Sequence, residues 1–224
     1  MNIPPIFIGN SAIEWVSKSR LLGMTVDERL TWTPHMLELI KSFAKKLGLL
    51  KVLKKLRFLP RNVRLDLYLK IILPSVTYGL ALWGSCCNSD LFQSLERLHC
   101  RAAILIFSLP KDVTSADVLQ RAQWQTLSIY YQSAIFICFH KAYNDRLPDT
   151  SIDLIFKKRA TNYSTRTCAS LIITRFYMRY MKDSVAFRGS VLWHAVTNSF
   201  STLTKNIWYC DLRLKLKSLV NFNE

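Results

Sequence analysis

The chain has 224 residues, and its 31 lysine and arginine residues exceed its 15 acidic residues by enough to give a formal net charge of +16. Half of the residues are apolar, which is enough to build a hydrophobic core and excludes a chain that is disordered throughout. Its 6 glycines and 7 prolines also exclude a collagen-like or low-complexity chain.

The first thirty residues predict short β-strands. Ile6–Ile8 and Ala12–Val16 flank Gly9-Asn10-Ser11, and because Gly and Asn tolerate positive φ, this pattern predicts a hairpin. Leu21–Val26 is expected to supply a third strand. Three short strands without a covering layer are only marginally stable, so this part is expected to be the edge of something larger.

A helical period begins after Trp32, where Thr33 is a good N-cap and Pro34 suits the first helical position. Apolar residues spaced three or four apart predict one buried face: Met36, Ile40, Phe43, Ala44, Leu47 and Leu50. A second stripe, rotated from the first, consists of Leu49, Val52, Leu53 and Leu56. The phase of the pattern changes at Gly48, which predicts a kink or a break there.

The charged residues that follow Glu38 in this region are all basic. From Lys41 to Arg64 there are nine basic residues and no acidic one: Lys41, Lys45, Lys46, Lys51, Lys54, Lys55, Arg57, Arg61 and Arg64. Solvated helix faces usually mix both signs, because opposite charges four residues apart support the helix. A face of one sign repels itself unless a polyanion neutralises it. These nine residues are therefore the candidate nucleic-acid contacts, with plain solvated surface as the competing interpretation.

Further helices are expected along the chain. Arg61–Leu73 should be helical, with Val63, Leu67 and Ile71 on one side and Pro74 kinking or ending the helix. Asn88 or Ser89 caps a helix that runs to about Phe107, with these residues inward: Leu91, Leu95, Leu98, Ala102 and Leu105. Thr114–Asp117 is similar to a capping box, and helices follow at about 115–122 and 127–144.

From residue 145 onward, the apolar residues of the chain show a less regular spacing. Residues 145–170 are polar and predict a loop, and a second basic stretch without acidic residues runs from Lys157 to Lys182. Residues 172–181 suit either a helix or a strand, and an amphipathic helix is expected over 209–220. No internal repeat is visible.

Most catalytic sequence patterns are missing. There is no Gly-x-x-x-x-Gly-Lys phosphate loop and no Gly-x-Ser-x-Gly elbow. Phosphoryl transfer with two metal ions needs clustered carboxylates, and no two aspartates are adjacent. Asp27-Glu28 is the only adjacent acidic pair, and we interpret it as part of a turn.

The six cysteines form no Cys-x-x-Cys pair, which favours free thiols. A metal site built from Cys86 and Cys87 with His99 and Cys100 is the alternative, although the spacing is unlike that of zinc sites. No signal peptide opens the sequence, and no apolar run approaches the ~20 residues that span a bilayer. An intracellular protein of the nucleus or cytoplasm, and not a secreted one, is expected.

Four segments occur in an order that is typical of one family. The first is Leu22-Gly23 and Asp27, followed by Leu30, Trp32 and His35. The second runs through Leu59-Pro60, Leu67-Tyr68, Ile72-Leu73-Pro74, Tyr78-Gly79 and Trp83-Gly84. The third is Leu95–Ala102, and the fourth is Thr165-Arg166 followed by Phe187–Trp193.

Together these segments resemble the C-terminal part of reverse transcriptases from non-long-terminal-repeat (LINE-type) retrotransposons, a class that includes jockey-like elements. The resemblance implies a palm-edge β remnant over residues 1–32, a thumb-like helical region over 33–110 and a C-terminal helical extension over 111–224. The sequence departs from the family's pattern at Leu21, Glu96, His99 and His194, which suggests a drifted copy. The family's Tyr-x-Asp-Asp motif, whose carboxylates bind Mg²⁺, does not occur, so no cofactor is expected.

The sequence therefore predicts a mainly α-helical chain: a helical thumb-like bundle, a helical C-terminal extension and a short N-terminal β-hairpin or three-strand element. The expected function is that of a truncated, catalytically inactive remnant of a retrotransposon RNA-directed DNA polymerase. It would bind an RNA–DNA hybrid or another duplex through its basic helices without sequence specificity. One alternative is a non-enzymatic basic helical protein that meets an acidic protein or a membrane surface. A second is an active polymerase of which this chain is one part.

Overall fold

The computed structural model describes residues 6–55, 59–84, 89–110, 112–144, 146–148, 157–158, 171–172 and 184–199. The chain is mainly α-helical, as predicted. The helices within these ranges are α1 (Thr33–Lys55), α2 (Arg61–Leu67), α3 (Leu73–Thr77), α4 (Leu80–Trp83), α5 (Ser89–Phe107), α6 (Ser115–Ala122), α7 (Leu127–Tyr143) and α8 (Val185–Ser199). A π-helical turn, Tyr68–Ile72, joins α2 to α3.

The N-terminal strands form two hairpins. β1 (Ile6–Ile8) pairs antiparallel with β2 (Ser11–Ile13), which confirms the first predicted hairpin. The prediction of a single third strand over Leu21–Val26 was wrong. Two strands occupy this region, β3 (Lys18–Leu21) and β4 (Met24–Asp27), and they pair with each other. Between them Leu22 and Gly23 have φ values of 48° and 82°, and two positive φ values in a two-residue turn match the twist of paired strands.

Beyond α7 the structure describes one more strand pair. β5 (Lys157–Lys158) pairs antiparallel with β6 (Leu171–Ile172). The helix predicted over 209–220 lies outside the described residues, as does most of 172–181. No helix in the described ranges is long and apolar enough to cross a membrane.

The core lies between α1, the π-helical turn, α4, α5 and α7. Its largest fully buried side chains include Trp83, Tyr68, Phe43, Met36, Leu95 and Ile135. The predicted inward face of α5 is confirmed, since Leu95 and Ala102 are buried and the other members of the stripe pack against the same cluster. Thr114 also caps α6 as predicted, because its Oγ1 accepts a hydrogen bond from the Asp117 N–H at 3.3 Å.

Leu49 and Val52 of the second apolar stripe do not face this core, and Leu56 lies outside the described residues. The helix continues through Gly48 without a break, so its 3.6-residue period is kept. Leu50 is therefore in line with Leu47 and is buried, whereas Leu49 and Val52 point to solvent, 62% and 57% exposed. The predicted break at Gly48 was wrong because the hydrophobic pattern changed phase while the backbone did not.

The chain also stays helical through Pro74, which the sequence predicted to kink or end the helix. Pro74 is the second residue of α3, which directly follows the π-helical turn, so its missing N–H removes one helical hydrogen bond without ending the helical path. The wider π-helical turn before it changes the rotation of the chain. Tyr68 and Ile72, at the two ends of this turn, face the core. The expected apolar side is wrong in part, since Val63 and Ile71 are exposed whereas Leu67 packs against the core cluster.

Candidate nucleic-acid interface

Six of the nine predicted contact residues lie on α1, and they do not all share one face. Four of them are exposed: Lys41, Lys45, Lys51 and Lys55. At 3.6 residues per turn, Lys41, Lys45 and Lys55 lie opposite the buried residues of α1. We call this solvent-facing side, together with Lys51 at its border toward α5, the outer face of α1.

The other predicted contacts have different surroundings. Lys46 is half-buried, and its Nζ donates a hydrogen bond to Ser75 Oγ at 2.6 Å, which ties α1 to α3. Lys54 is half-buried as well. The Arg61 guanidinium lies over the ring of Phe107, 5.4 Å from its centroid, and Arg64 is half-buried. Arg57 lies outside the described residues.

Carboxylates do not neutralise the outer face within the part of the chain that the structure describes. The ion pairs among the described residues are Arg29–Glu28 at 3.8 Å and Lys70–Asp66 at 2.9 Å, and neither involves a residue of α1. Glu38 is the only acidic residue of α1, and it accepts a hydrogen bond from Thr25 Oγ1 at 2.7 Å. The positive potential of the outer face is therefore available to an external anion.

A groove between α1 and α5 extends this positive surface. It has a volume of about 240 Å³, an apolar floor that includes Leu47 and Leu98, and two cationic residues, Lys51 and Arg101. Arg97 and Arg101 are both exposed on α5. They do not belong to an acid-free run, because Asp90 and Glu96 lie nearby in the sequence, but their spacing of four residues on a predicted helix was a usable signal.

The first family-like segment fastens β3–β4 and the following loop to α1. The Asp27 carboxylate accepts hydrogen bonds from the N–H groups of Thr31 and Trp32, at 3.1 and 2.9 Å. Desolvation alone would raise the pKa of Asp27, but these hydrogen bonds outweigh it and hold the pKa below its usual value. Asp27 is thus a turn residue, as we interpreted it. The Thr25 N–H donates to His35 Nδ1 at 3.4 Å.

The second segment meets the first across the fold. The Tyr78 hydroxyl donates to the Leu22 carbonyl oxygen at 3.1 Å, in the turn between β3 and β4. Gly79 has a φ of +64°, and a Cβ there would collide with the Met24 sulfur. The Trp83 Nε1–H donates to the Tyr78 carbonyl oxygen at 2.8 Å. Tyr78 and Gly79 therefore fix the position of the second hairpin against the helices.

The third segment supplies a buried polar contact. The Tyr68 hydroxyl and His99 Nδ1 are 2.5 Å apart, and His99 Nε2 lies 2.9 Å from the Gln125 carbonyl oxygen. A carbonyl only accepts, so Nε2 carries the proton and Nδ1 accepts from Tyr68. Burial lowers the pKa of His99 to about 4 and raises that of Tyr68. The Trp124 ring stacks on Tyr68 with centroids 4.6 Å apart.

Of the fourth segment, the structure describes the second half, Phe187–Trp193. Trp193 on α8 stacks against Phe136 on α7, with ring centroids 5.5 Å apart. A Cβ on Gly189 would collide with the Phe139 ring, so this glycine permits close packing of α8 on α7. Thr165 and Arg166 lie outside the described residues.

The described residues assemble no group of His, Cys, Asp and Glu that could hold a metal ion. Cys100 and Cys138 are free thiols, and burial raises the pKa of both. The alternative metal site included Cys86 and Cys87, which lie outside the described residues. Its third member, His99, already uses both ring nitrogens in contacts with Tyr68 and Gln125.

Comparison with known proteins points to transposon polymerases. Over 107 residues the chain is 28% identical to a Drosophila melanogaster protein named "Probable RNA-directed DNA polymerase from transposon X-element". The match covers 46% of this chain and 11% of that protein, so the chain corresponds to a small part of its length. No family model and no solved structure matches the chain. The similarity supports an origin related to retrotransposon reverse transcriptases.

Proposed function

We propose that the chain is derived from the thumb and the following region of a LINE-type reverse transcriptase and binds nucleic-acid duplexes, with RNA–DNA hybrids included, without sequence specificity. One observation carries this proposal: the outer face of α1 exposes lysines that no described carboxylate neutralises. The similarity to a transposon polymerase supports nucleic acid as the polyanion. On this proposal residues 1–32, 33–110 and 111–224 correspond to palm edge, thumb and extension, and the protein acts in the nucleus or cytoplasm.

The composition of α1 argues for phosphate contact rather than base reading. Adenine is read by bidentate Asn and Gln side chains and guanine by Arg or Lys. Helix α1 contains no Arg, Asn or Gln, so guanine edges are the only base contacts of this kind that its lysines can make. Lysine ammonium groups act as point charges toward phosphates, which carry no sequence information. Binding through this face should therefore follow charge and spacing, and it should weaken as salt rises.

We further propose that these residues do not polymerise DNA by themselves. The reaction needs clustered carboxylates for two metal ions, and no two aspartates are adjacent in this sequence. Asp27, which begins the one adjacent acidic pair, already accepts hydrogen bonds from Thr31 and Trp32.

The proposal is tested by reversing three exposed lysines together: Lys45→Glu, Lys51→Glu and Lys55→Glu. Affinity for an RNA–DNA duplex should fall by similar factors for every sequence tried, because phosphates are common to all of them. If about four cations touch phosphate, log K should fall with log salt at a slope of about −3 to −4, and the variant should show a shallower slope. Helicity by circular dichroism should survive, since Glu and Lys have similar helix propensity.

The matched control reverses three cations in the second basic stretch: Lys157→Glu, Lys158→Glu and Arg159→Glu. This variant has the same change in net charge, so it isolates position from total charge, and it should lose less affinity. Unchanged duplex affinity after the α1 reversal would reduce the outer face to ordinary solvated surface and refute the proposal.

One observation favours a second candidate function. Leu37, Leu49 and Val52 are exposed among the lysines of α1, with exposed fractions of 45%, 62% and 57%. Helices that combine basic and apolar exposed residues also bind anionic membrane surfaces or acidic proteins. Tighter binding to anionic vesicles than to an RNA–DNA duplex at equal ionic strength, with heparin as a polyanion control, would favour this candidate.

A further inference from the structure

A separate cavity lies between α5, α7 and α8. Its volume is about 780 Å³, and each helix contributes one face to its wall. From α5 come Phe92, Gln93 and Glu96, and from α8 come Phe187 and Arg188. This combination of size, apolar wall and a few polar groups is typical of sites for small organic groups.

Aromatic rings line the cavity on all three helices. Phe92 and Phe187 are half-buried, and Tyr131 on α7 is buried. The Arg188 guanidinium lies 6.0 Å from the centroid of the Tyr131 ring. Such walls suit a flat π-system, because stacking on aromatic rings stabilises planar groups such as nucleobases.

The polar wall of the cavity contains a carboxylate that is only half satisfied. Glu96 Oε1 accepts a hydrogen bond from the Ser128 N–H at 3.1 Å. Glu96 Oε2 is buried and has no hydrogen-bond partner among the described residues. A buried acceptor without a donor is unfavourable. Oε2 is closed to solvent in this structure, so a ligand N–H group reaches it only after the carboxylate turns toward the cavity that Glu96 lines.

A line of polar residues on α5 connects this cavity with the α1–α5 groove. Gln93, Arg97 and Arg101 are spaced four residues apart, and Arg97 Nη2 donates to Gln93 Oε1 at 2.7 Å. Gln93 lines the cavity and Arg101 lines the groove beside Lys51. At about 1.5 Å per residue, the line is about 12 Å long, a distance that a short single strand covers.

We infer that this cavity binds an unpaired nucleobase with an exocyclic amino group, from a single strand whose phosphates follow Arg97 and Arg101. The inference rests on the proposed function. With its carboxylate turned toward the cavity, Glu96 accepts from the amino group, as carboxylates do from cytosine N4, and the rings of Phe92 and Phe187 stack on the base. The outer face of α1 then holds the duplex, while the cavity holds the strand that leaves it.

The test compares a blunt RNA–DNA duplex with the same duplex carrying an overhang of cytidines or of uridines, measured by fluorescence anisotropy. Val191 lines the cavity on α8 and is 44% exposed, so Val191→Trp fills the cavity at a position where folding tolerates bulk. Ala195→Trp is the matched control, because Ala195 is exposed on the same helix and does not line the cavity.

We expect the cytidine overhang to bind about tenfold more tightly than the blunt duplex, the gain typical of one stacked base. Val191→Trp should abolish that gain and leave blunt-duplex affinity within about twofold, a change too small for a lost stacking contact, and Ala195→Trp should keep both. Glu96→Gln preserves the side-chain shape and should reduce the preference for cytidines over uridines.

Two results overturn the inference and leave the proposed function standing: an overhang that adds no affinity, or tryptophan variants at 191 and 195 that behave alike while the blunt duplex still binds. Failure of every nucleic acid to bind overturns both together. Equal binding of cytidine and uridine overhangs by the unmodified protein overturns the assigned role of Glu96.

Discussion

His99 shows how neighbouring groups determine the chemistry of a single residue in this protein. Its side chain is fully buried, and each ring nitrogen has one partner, the Tyr68 hydroxyl on one side and the Gln125 carbonyl on the other. Protonation would put a second N–H against the hydroxyl and a charge in the core. His99 is therefore held neutral, with its pKa lowered to about 4 by burial.

This residue should make the protein acid-sensitive. Between pH 6.5 and about 4 the unfolded chain binds a proton that native His99 does not, so stability is complete above pH 6.5 and falls as the pH falls through that window. The loss should reach up to about 3 kcal/mol at pH 4. Urea denaturation at several pH values measures it.

The variant His99→Gln keeps one acceptor and one donor at this position but does not titrate. Its free energy of unfolding should depend less steeply on pH than that of the unmodified protein. His35 and His140, whose pKa values burial also lowers, should leave a residual slope. Identical pH dependence in both proteins would show that His99 is not held neutral by the fold.

Two glycines on different helices should respond in opposite ways to the same substitution. Gly48→Ala should stabilise by about 0.5–1 kcal/mol, because its Cβ would meet nothing within 4 Å and alanine is the better helix former. Gly189→Ala should destabilise by about 1–3 kcal/mol, because its Cβ would collide with the buried Phe139 ring. Urea denaturation compares them, and equal effects would contradict the close packing of α8 on α7.

The two N-terminal hairpins differ in how much of their surface packs against the helices. Residues 6–22 are all exposed, including Phe7, Ile8 and Trp15. In the second hairpin, Met24 and Thr25 are buried against the helical body. An exposed two-stranded sheet with apolar side chains offers unpaired edges to other chains, so the first hairpin is an aggregation hazard.

Two truncations test how much each hairpin contributes to solubility and stability. Deleting residues 1–16 should raise solubility and leave the unfolding free energy nearly unchanged, because no side chain of β1 or β2 is buried. Deleting residues 1–30 should also raise solubility and keep the helical signal, but it should lower stability by about 2–4 kcal/mol through the loss of buried Met24. Circular dichroism and sedimentation measure both effects. Unfolding of the helices in the longer deletion would show that the strands are integral to the helical fold.

For the chain as a whole, the net charge and the lack of adjacent aspartates in the sequence lead to a combined expectation. Residues 1–224 should bind a primed RNA template but should not extend the primer with Mg²⁺ or Mn²⁺, because two-metal catalysis needs grouped carboxylates. Primer extension beside a gel-shift assay on the same sample tests this. Extension that Asp27→Ala abolishes would contradict the expectation; Glu28→Ala, at an exposed neighbour, is the control.

Local features of the sequence were sufficient for much of the fold. The start and end of α5, the cap of α6 and most of the buried side of α1 were predictable, because periodicity and capping depend on residues within a few positions of each other. Ala44, also expected on that side, is exposed. The acid-free charge of α1 was visible for the same reason. The two-residue turn at Leu22 and Gly23 was missed because one apolar run concealed two strands.

Tertiary structure decided what the surface presents. Sequence spacing grouped six lysines of α1, but packing leaves four of them exposed and engages Lys46 with Ser75. Likewise, Ile71 lies at the surface because the π-helical turn places its neighbours Tyr68 and Ile72 against the core. The α1–α5 groove and the large cavity join residues from separate helices. A linear pattern specifies which side chains share a helix face, but only the contact between helices determines which face is covered and which remains for a ligand.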